Sequence, residues 1–363
     1  MGEAVDQGAM RSPAANNSKG LLACASALLV LASRGLAQSG LPSSGSASIF
    51  APASSHAGTL YDITLFFLAV TGVIFVVVFG MLVYAAVKFR HRRGDDKREP
   101  LQIYGSDQLE LAWTVIPVLI VIVLFLTSAR VIHTVQDARR PPGAIEVTVI
   151  GHQFWWEYRY PQYGFVTANE LHVPVSDPAN PTPTFLQLLS ADTDHSFWIP
   201  RLGGKTDLIP NHPNSMWIDP QEPGVYLGQC AQYCGTQHAK MLLRAYVESR
   251  ADFDRWVNSQ RQAAQRDAAL STEAEEGRHV FNSTACINCH SVSGSVADGL
   301  FGPDLTHLMS RETIASGVAT NTRENLRLWI QNPAAIKPGA LMPAMNLTEK
   351  ELDAVTAYML TLR

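Results

Sequence analysis

With 363 residues and 47% hydrophobic content the chain is too long for one ordinary domain, and its apolar residues fall in clusters. The formal net charge of −4 and the lack of a basic surface, outside one short loop, exclude a nucleic-acid binder held by an electrostatic footprint.

Residues 1–19 are polar and carry Arg11 and Lys19, Gly20 to Ala32 is apolar, and Arg34-Gly-Leu-Ala37 follows. This order predicts a secretory signal peptide over 1–37, cleaved before Gln38, which removes Cys24. A lipoprotein site at Cys24 competes poorly, because its apolar run should precede the cysteine and here it mostly follows. Residues 38–59, rich in Ser, Gly, Ala and Pro, read as a flexible lead-in. Within 60–132, Ile63 to Val87 and Leu111 to Ala129 are uncharged apolar runs, each able to cross a hydrocarbon core of about 30 Å as a helix. Two transmembrane helices are predicted, at about 63–87 and 110–130. Pro117 is tolerated in a membrane helix, where neighbours satisfy the freed carbonyl. Six Lys and Arg residues between Lys88 and Arg98 place the intervening loop in the cytoplasm, which puts everything after about 130 on the outer side of a bacterial plasma membrane, in the periplasm. Glu110 stands just before the second span, where a carboxylate at headgroup level needs no function.

From 143 to 250 the texture changes to short alternating segments, Glu146-Val-Thr-Val-Ile-Gly, Phe154-Trp-Trp-Glu-Tyr-Arg-Tyr, Thr184-Phe-Leu-Gln-Leu-Leu and Gly224-Val-Tyr-Leu-Gly-Gln, which predict an antiparallel sandwich or barrel. After the last of them comes Cys-Ala-Gln-Tyr-Cys-Gly-Thr-Gln-His-Ala-Lys-Met, Cys230 to Met241. Two thiols, an imidazole and a thioether form a soft donor set suited to copper or zinc, and the methionine favours copper. A Cys230–Cys234 disulfide is the alternative, but it would need neither His238 nor Met241. His152, His172 and His212 have no partnered spacing and read as structural or surface histidines. The carboxylates Asp192, Asp194, Asp207 and Asp219 read as solvated groups or as a docking face for a basic electron donor.

Residues 251–271, charged and alanine-rich, predict a helix-forming connector. In 272–363, Thr272-Glu-Ala-Glu275 reads as a capping box, and Cys286-Ile-Asn-Cys289-His290 is the attachment motif of a c-type haem, whose adjacent imidazole lies under the iron. A zinc knuckle or a disulfide is the alternative; no second ligand pair follows at zinc-like spacing. Thr348-Glu-Lys-Glu351 opens a last helix with Leu352, Val355, Met359 and Leu360 on one stripe.

The pattern Cys-x-Gln-x-Cys-x-x-x-His-x-x-Met, preceded by Asp194-His-Ser-Phe-Trp-Ile-Pro200 and Lys205-Thr-Asp-Leu-Ile-Pro210, resembles subunit II of the haem–copper cytochrome c oxidases. That resemblance implies a cupredoxin-like all-β domain holding a dinuclear copper A centre. Cys230 and Cys234 would bridge two copper ions, with His195 and His238 through nitrogen, Met241 through sulfur and Gln232 through its backbone carbonyl. It also aligns Glu110 with a glutamate at the mouth of a proton path in many of these oxidases. Two positions depart from the pattern. Phe154 stands where a Trp is held to receive electrons from docked cytochrome c, with Trp155 a substitute, and Gln232 stands where a Glu also binds magnesium. A neutral amide is a poorer ligand for Mg²⁺, so that site is left open. Residues 272–363 resemble an all-α class I cytochrome c, with Gly302-Pro303-Asp-Leu305 as its haem-side loop and Met342, in Met-Pro, as the axial sulfur. Met345 is the other candidate, and Met309 and Met359 read as packing.

Together these resemblances imply a membrane-anchored multidomain chain with a two-helix transmembrane hairpin. It would be subunit II of a proton-pumping oxidase, taking electrons from cytochrome c or another donor through its haem and copper to a catalytic subunit I, where the oxygen chemistry lies. The alternatives are a copper A subunit of a nitric-oxide reductase-type complex and a free-standing membrane-anchored electron carrier.

Overall fold

The computed structural model describes residues 47–90, 102, 105–136, 139–179, 181–263 and 270–363. The expected signal peptide, much of the lead-in, most of the basic loop and part of the connector lie outside these residues.

Two long helices, α1 (Ser55–Lys88) and α2 (Asp107–Val135, with Pro117 inside), pack on each other as a hairpin. At 1.5 Å per residue they are about 50 and about 44 Å long, so both overrun a hydrocarbon core of about 30 Å and extend through the headgroup layers. Phe75, Val78, Leu119 and Phe125 along them are exposed, as lipid or a partner subunit requires. Ser54 caps α1 by accepting the Ala57 N–H. The same helix start is fixed to the β-domain: the Ser55 N–H donates to Asp219 at 3.1 Å, and the His56 ring lies 3.8 Å from that of Trp217.

The β-domain contains β1 (Ile145–His152), β2 (Trp155–Tyr160), β3 (Phe165–Ala168), β4 (Glu170–Pro174), β5 (Thr184–Ser190), β6 (His195–Trp198), β7 (Thr206–Leu208), β8 (Asn214–Ile218), β9 (Gly224–Cys230) and β10 (Leu242–Glu248). Two five-stranded sheets, ordered β3-β2-β1-β5-β8 and β4-β10-β9-β6-β7, face each other over one core. The strict in-out alternation in β5 and β10 marks strands with one face on that core, whereas β1 is buried along nearly its whole length. The sheets are mixed rather than antiparallel: β1 pairs with β5, and β4 with β10, in parallel. Period-two patterning reports which face is buried and carries no information on strand direction. The expectation of a wholly antiparallel domain is corrected on that ground.

The helix expected in the connector forms as α3 (Arg250–Gln260), capped by Ser249, but it packs on the β-domain. Phe253 and Val257 enter the same core, and Trp256 stacks on His172 at 4.1 Å. Full burial of a side chain such as Phe253 stabilises by about 1.5–3 kcal/mol.

The C-terminal domain has a separate core. Its helices are α4 (Thr272–Ser283), α5 (Cys286–Cys289), α6 (Arg323–Gln331), α7 (Pro333–Ile336) and α8 (Glu349–Met359), with a short ribbon of β11 (Thr313–Ile314) and β12 (Ala319–Thr320). Helices α4 and α8 cross at Gly277, where any Cβ would run into the Ala354 carbonyl. Thr348 and Glu351 form the expected capping box on α8; α4 is instead capped by Ser271, one residue earlier than the sequence pattern indicated.

Candidate functional site

The copper-type donors converge from two loops. His195 opens β6 and Cys230 ends β9, strands that pair at Phe197 and Cys230, while Cys234, His238 and Met241 come from the turn between β9 and β10. The Cys230 and Cys234 sulfurs are 3.9 Å apart and free, about twice the separation of a disulfide. His195 Nδ1 is 3.9 Å from the Cys230 sulfur; His238 Nδ1 and the Met241 sulfur are each 3.8 Å from that of Cys234. The Gln232 carbonyl lies 3.1 Å from the Cys230 sulfur. The structure therefore brings together all six positions that the sequence singled out. His195, Cys230, Cys234 and Met241 are buried, so the donors are held in a dry, preformed cluster.

The two thiols share one charge. A hydrogen bond from Cys234 holds the Cys230 thiol far below its ordinary range, and the thiolate so formed pushes Cys234 up. Such a pair loses both protons only when a cation is there to take their place, which is the behaviour of metal ligands.

Asp192 orients His195. Burial opposes a charge on the imidazole, yet the Asp192 carboxylate 2.7 Å from Nε2, with Cys230 near Nδ1, raises its pKa above the usual value. Asp192 is in turn fixed by the Gln153 and Thr193 N–H groups, both at 2.6 Å. With Nε2 committed, Nδ1 is left for a metal. Gly151 makes room: a Cβ there would come within 2.8 Å of the His195 ring. Asp192→Asn is expected to weaken copper binding by about 10–100-fold, read by competition with a chelator, while the haem spectrum stays unchanged.

The haem-type motif lines a deep cleft. Cys286, Cys289 and His290 lie on one side, Met342 and Met345 on another, around an empty volume of about 1450 Å³ that includes the open mouth. The lining is mostly apolar, with Phe281, Leu308 and Trp329 among its walls. His290 Nδ1 donates to the Pro303 carbonyl at 2.7 Å, which leaves Nε2 free to ligate. Gly302 lies against this ring, where a Cβ would sit 2.6 Å from it, and its N–H donates to the Cys289 carbonyl at 2.6 Å. Arg311 also reaches the cleft, and its buried Nε has no hydrogen-bond partner among the described residues. A flat apolar group with an anionic edge fits these walls, as a haem has.

The remaining candidates fall elsewhere. His152 stacks on Trp155 and bonds to Glu157 at 2.9 Å; His172 lies between Tyr246 and Trp256. Of the four carboxylates offered as a docking face, Asp192 serves His195 and Asp219 holds α1, while Asp194 and Asp207 are exposed. Phe154 is only 7% exposed and, with Trp155, forms part of the haem cleft wall instead of an open docking surface. Glu110 lies in the first turn of α2. Sequence reasoning missed Asp192 as an orienter, as well as Gln153 and Arg311. Asp192, three residues before His195, was visible only as one of several acids.

Three family profiles match the chain: "Cytochrome C oxidase subunit II, transmembrane domain" over residues 43–131, "Cytochrome C oxidase subunit II, periplasmic domain" over 178–247, and "Cytochrome c" over 274–363. Cytochrome c oxidase subunit 2 of Alkalihalophilus pseudofirmus is 34% identical over 317 residues, covering 86% of this chain and 90% of the relative. The same protein from Bacillus sp. (strain PS3) is 34% identical, covering 76% of this chain and 80% of its own. Among solved structures, the periplasmic domain of subunit II of cytochrome oxidase from Bradyrhizobium japonicum is 29% identical and covers 33% of this chain and 95% of that one, with a TM-score of 0.31.

Proposed function

This chain belongs to the cytochrome c oxidase subunit II family, and from that premise we propose the route an electron takes through it and the residues that hold each stop. The chain is an electron-transfer subunit of a haem-copper oxidase, and a membrane-anchored one. In our reading Cys286 and Cys289 would hold the haem covalently, and His290 and Met342 would supply its iron ligands. Two copper ions are held by His195, Cys230, Cys234, His238, Met241 and the Gln232 carbonyl. When bound, each centre takes up and releases one electron at a time, and the order is donor, haem, copper, then the catalytic subunit.

The chain's own residues supply rigidity and dryness. Both loops carrying the copper donors are anchored in paired strands, and the cluster is buried, so little reorganises when charge changes. Met/His ligation sets a relatively high potential, suited to passing electrons towards oxygen. The two spans dock on catalytic subunit I, with both redox domains in the periplasm and cytochrome c or another carrier as donor. Glu110, at the start of α2, stands where a proton path into that subunit would open. We propose no magnesium site, since Gln232 is neutral and exposed.

The observation that carries this reading is one chain holding both a largely buried Cys₂His₂Met donor cluster and a Cys-x-x-Cys-His cleft. Oxygen uptake by the detergent-purified complex, driven by an artificial donor, tests it. Rapid uptake that cyanide abolishes is the expected result; no uptake from a complex retaining its metals would overturn the oxidase assignment.

A further inference from the structure

The electron route leaves open whether the haem domain moves between donor and copper. The two ligand loops touch. Gln237 and Lys240 flank His238: the Gln237 amide donates to the Pro338 carbonyl, and Lys240 Nζ to the Ile336 carbonyl at 3.1 Å. At Gly339, three residues before Met342, a Cβ would lie 3.2 Å from the Thr236 side chain, so the Gly339 backbone packs closely on that side chain.

Two buried ionisable side chains pin the same seat. Glu170, at the start of β4 and 2% exposed, accepts the Thr313 N–H at 2.9 Å, the Thr313 hydroxyl at 2.7 Å and the Glu312 N–H at 3.1 Å. Lys337, 3% exposed, reaches the other way and donates from Nζ to the Phe154 carbonyl at 2.7 Å. Its burial lowers its pKa to about 7. Transient docking surfaces keep their ions at a wet rim, where each contributes little. Here the ionisable groups sit in the dry centre with their partners in the opposite domain, as in a permanent joint. The seat also places Gln153 in the cleft wall while its amide donates to the Cys234 carbonyl at 2.6 Å, giving a hydrogen-bonded contact from cleft to copper ligand.

We propose that Glu170 and Lys337 are positioning residues that hold the haem domain in one fixed seat on the copper domain, so that the electron passes between the two ligand loops without domain movement. This rests on the route proposed above.

The test uses the full chain in its complex. Copper reduction is followed after rapid reduction of the haem, and amide hydrogen exchange is followed at Thr313. In the wild type the transfer rate is expected to be independent of added viscosity, with the Thr313 amide protected. Glu170→Ala and Lys337→Met are each expected to slow transfer by about tenfold or more and to make it viscosity-dependent, with both absorption spectra intact. Glu170→Ala should also speed Thr313 exchange, and Glu170→Gln, which keeps an acceptor, should restore most of the rate. Wild-type transfer that slows with viscosity overturns the fixed seat, as does unchanged transfer in both variants. Haem reduction that is never followed by copper reduction in the wild type would sink the route instead; Thr313 exchange then decides the seat, protection supporting it and rapid exchange overturning it.

Discussion

Replacing Cys230 by serine is expected to abolish the copper absorption and paramagnetic signals outright while leaving the haem spectrum unchanged. The Cys230 sulfur stands 3.9 Å from both the Cys234 sulfur and His195 Nδ1, and 3.1 Å from the Gln232 carbonyl, so it is the atom that every other donor on its side of the cluster faces. A hydroxyl is a hard, barely acidic donor and cannot replace a soft thiolate shared between two ions. The serine hydroxyl keeps a hydrogen-bonding group beside the buried Cys234, so the sandwich core is expected to hold. The Cys286-to-His290 segment packs with a separate hydrophobic core, although Phe154 and Trp155 complete the cleft wall, which is why the haem spectrum should survive. His195→Ala is expected to give the same copper loss through the other loop. Copper signals that persist in Cys230→Ser would remove the bridging role. Loss of the haem spectrum as well would mean that the two cores do not fold independently.

How far the site could be read in advance follows from how local each part is. Cys230 to Met241 lies within one turn and Cys286 to His290 within one helical turn, so both sets are written as spacing and needed no fold to be seen. His195 is 35 residues from Cys230, and only the β6–β9 pairing joins them; residue chemistry alone would not have selected it without the family resemblance. Asp192, though only three residues from His195, looked like any other acid of its loop, and Gln153 and Arg311 were illegible because they act through a partner distant in sequence or through the cleft itself. The spans were legible because membrane burial demands unbroken apolarity, whereas the parallel pairings of β1 with β5 and β4 with β10 leave no trace in alternation. Helix α3 shows the same limit. Its charged composition suggested a linker, but Phe253, Trp256 and Val257 put an apolar stripe on the sandwich.

The axial sulfur gives the second large effect. Met342 and Met345 both line the haem cleft and both are half-buried, so proximity alone does not choose between them. Backbone constraint does. Pro343 removes an N–H donor from the loop and disfavours helical backbone at Met342, while Met345 precedes Asn346, whose φ of 51° lies in the left-handed region. On the proposed ligand assignment, Met342→Ala is expected to leave the haem held at Cys286 and Cys289 but to remove its methionine ligand. The potential should fall by about 0.1 V or more, within the ~0.8 V range that axial ligands command. Electron entry from the donor into the haem would then be uphill and oxygen uptake would collapse, while the copper signals remain. Met345→Ala, changing only a wall of the cleft, is expected to shift the potential slightly and to keep uptake near wild type. A redox titration of the two variants decides the matter: a large fall in Met345→Ala with Met342→Ala unaffected would transfer the ligand role to Met345.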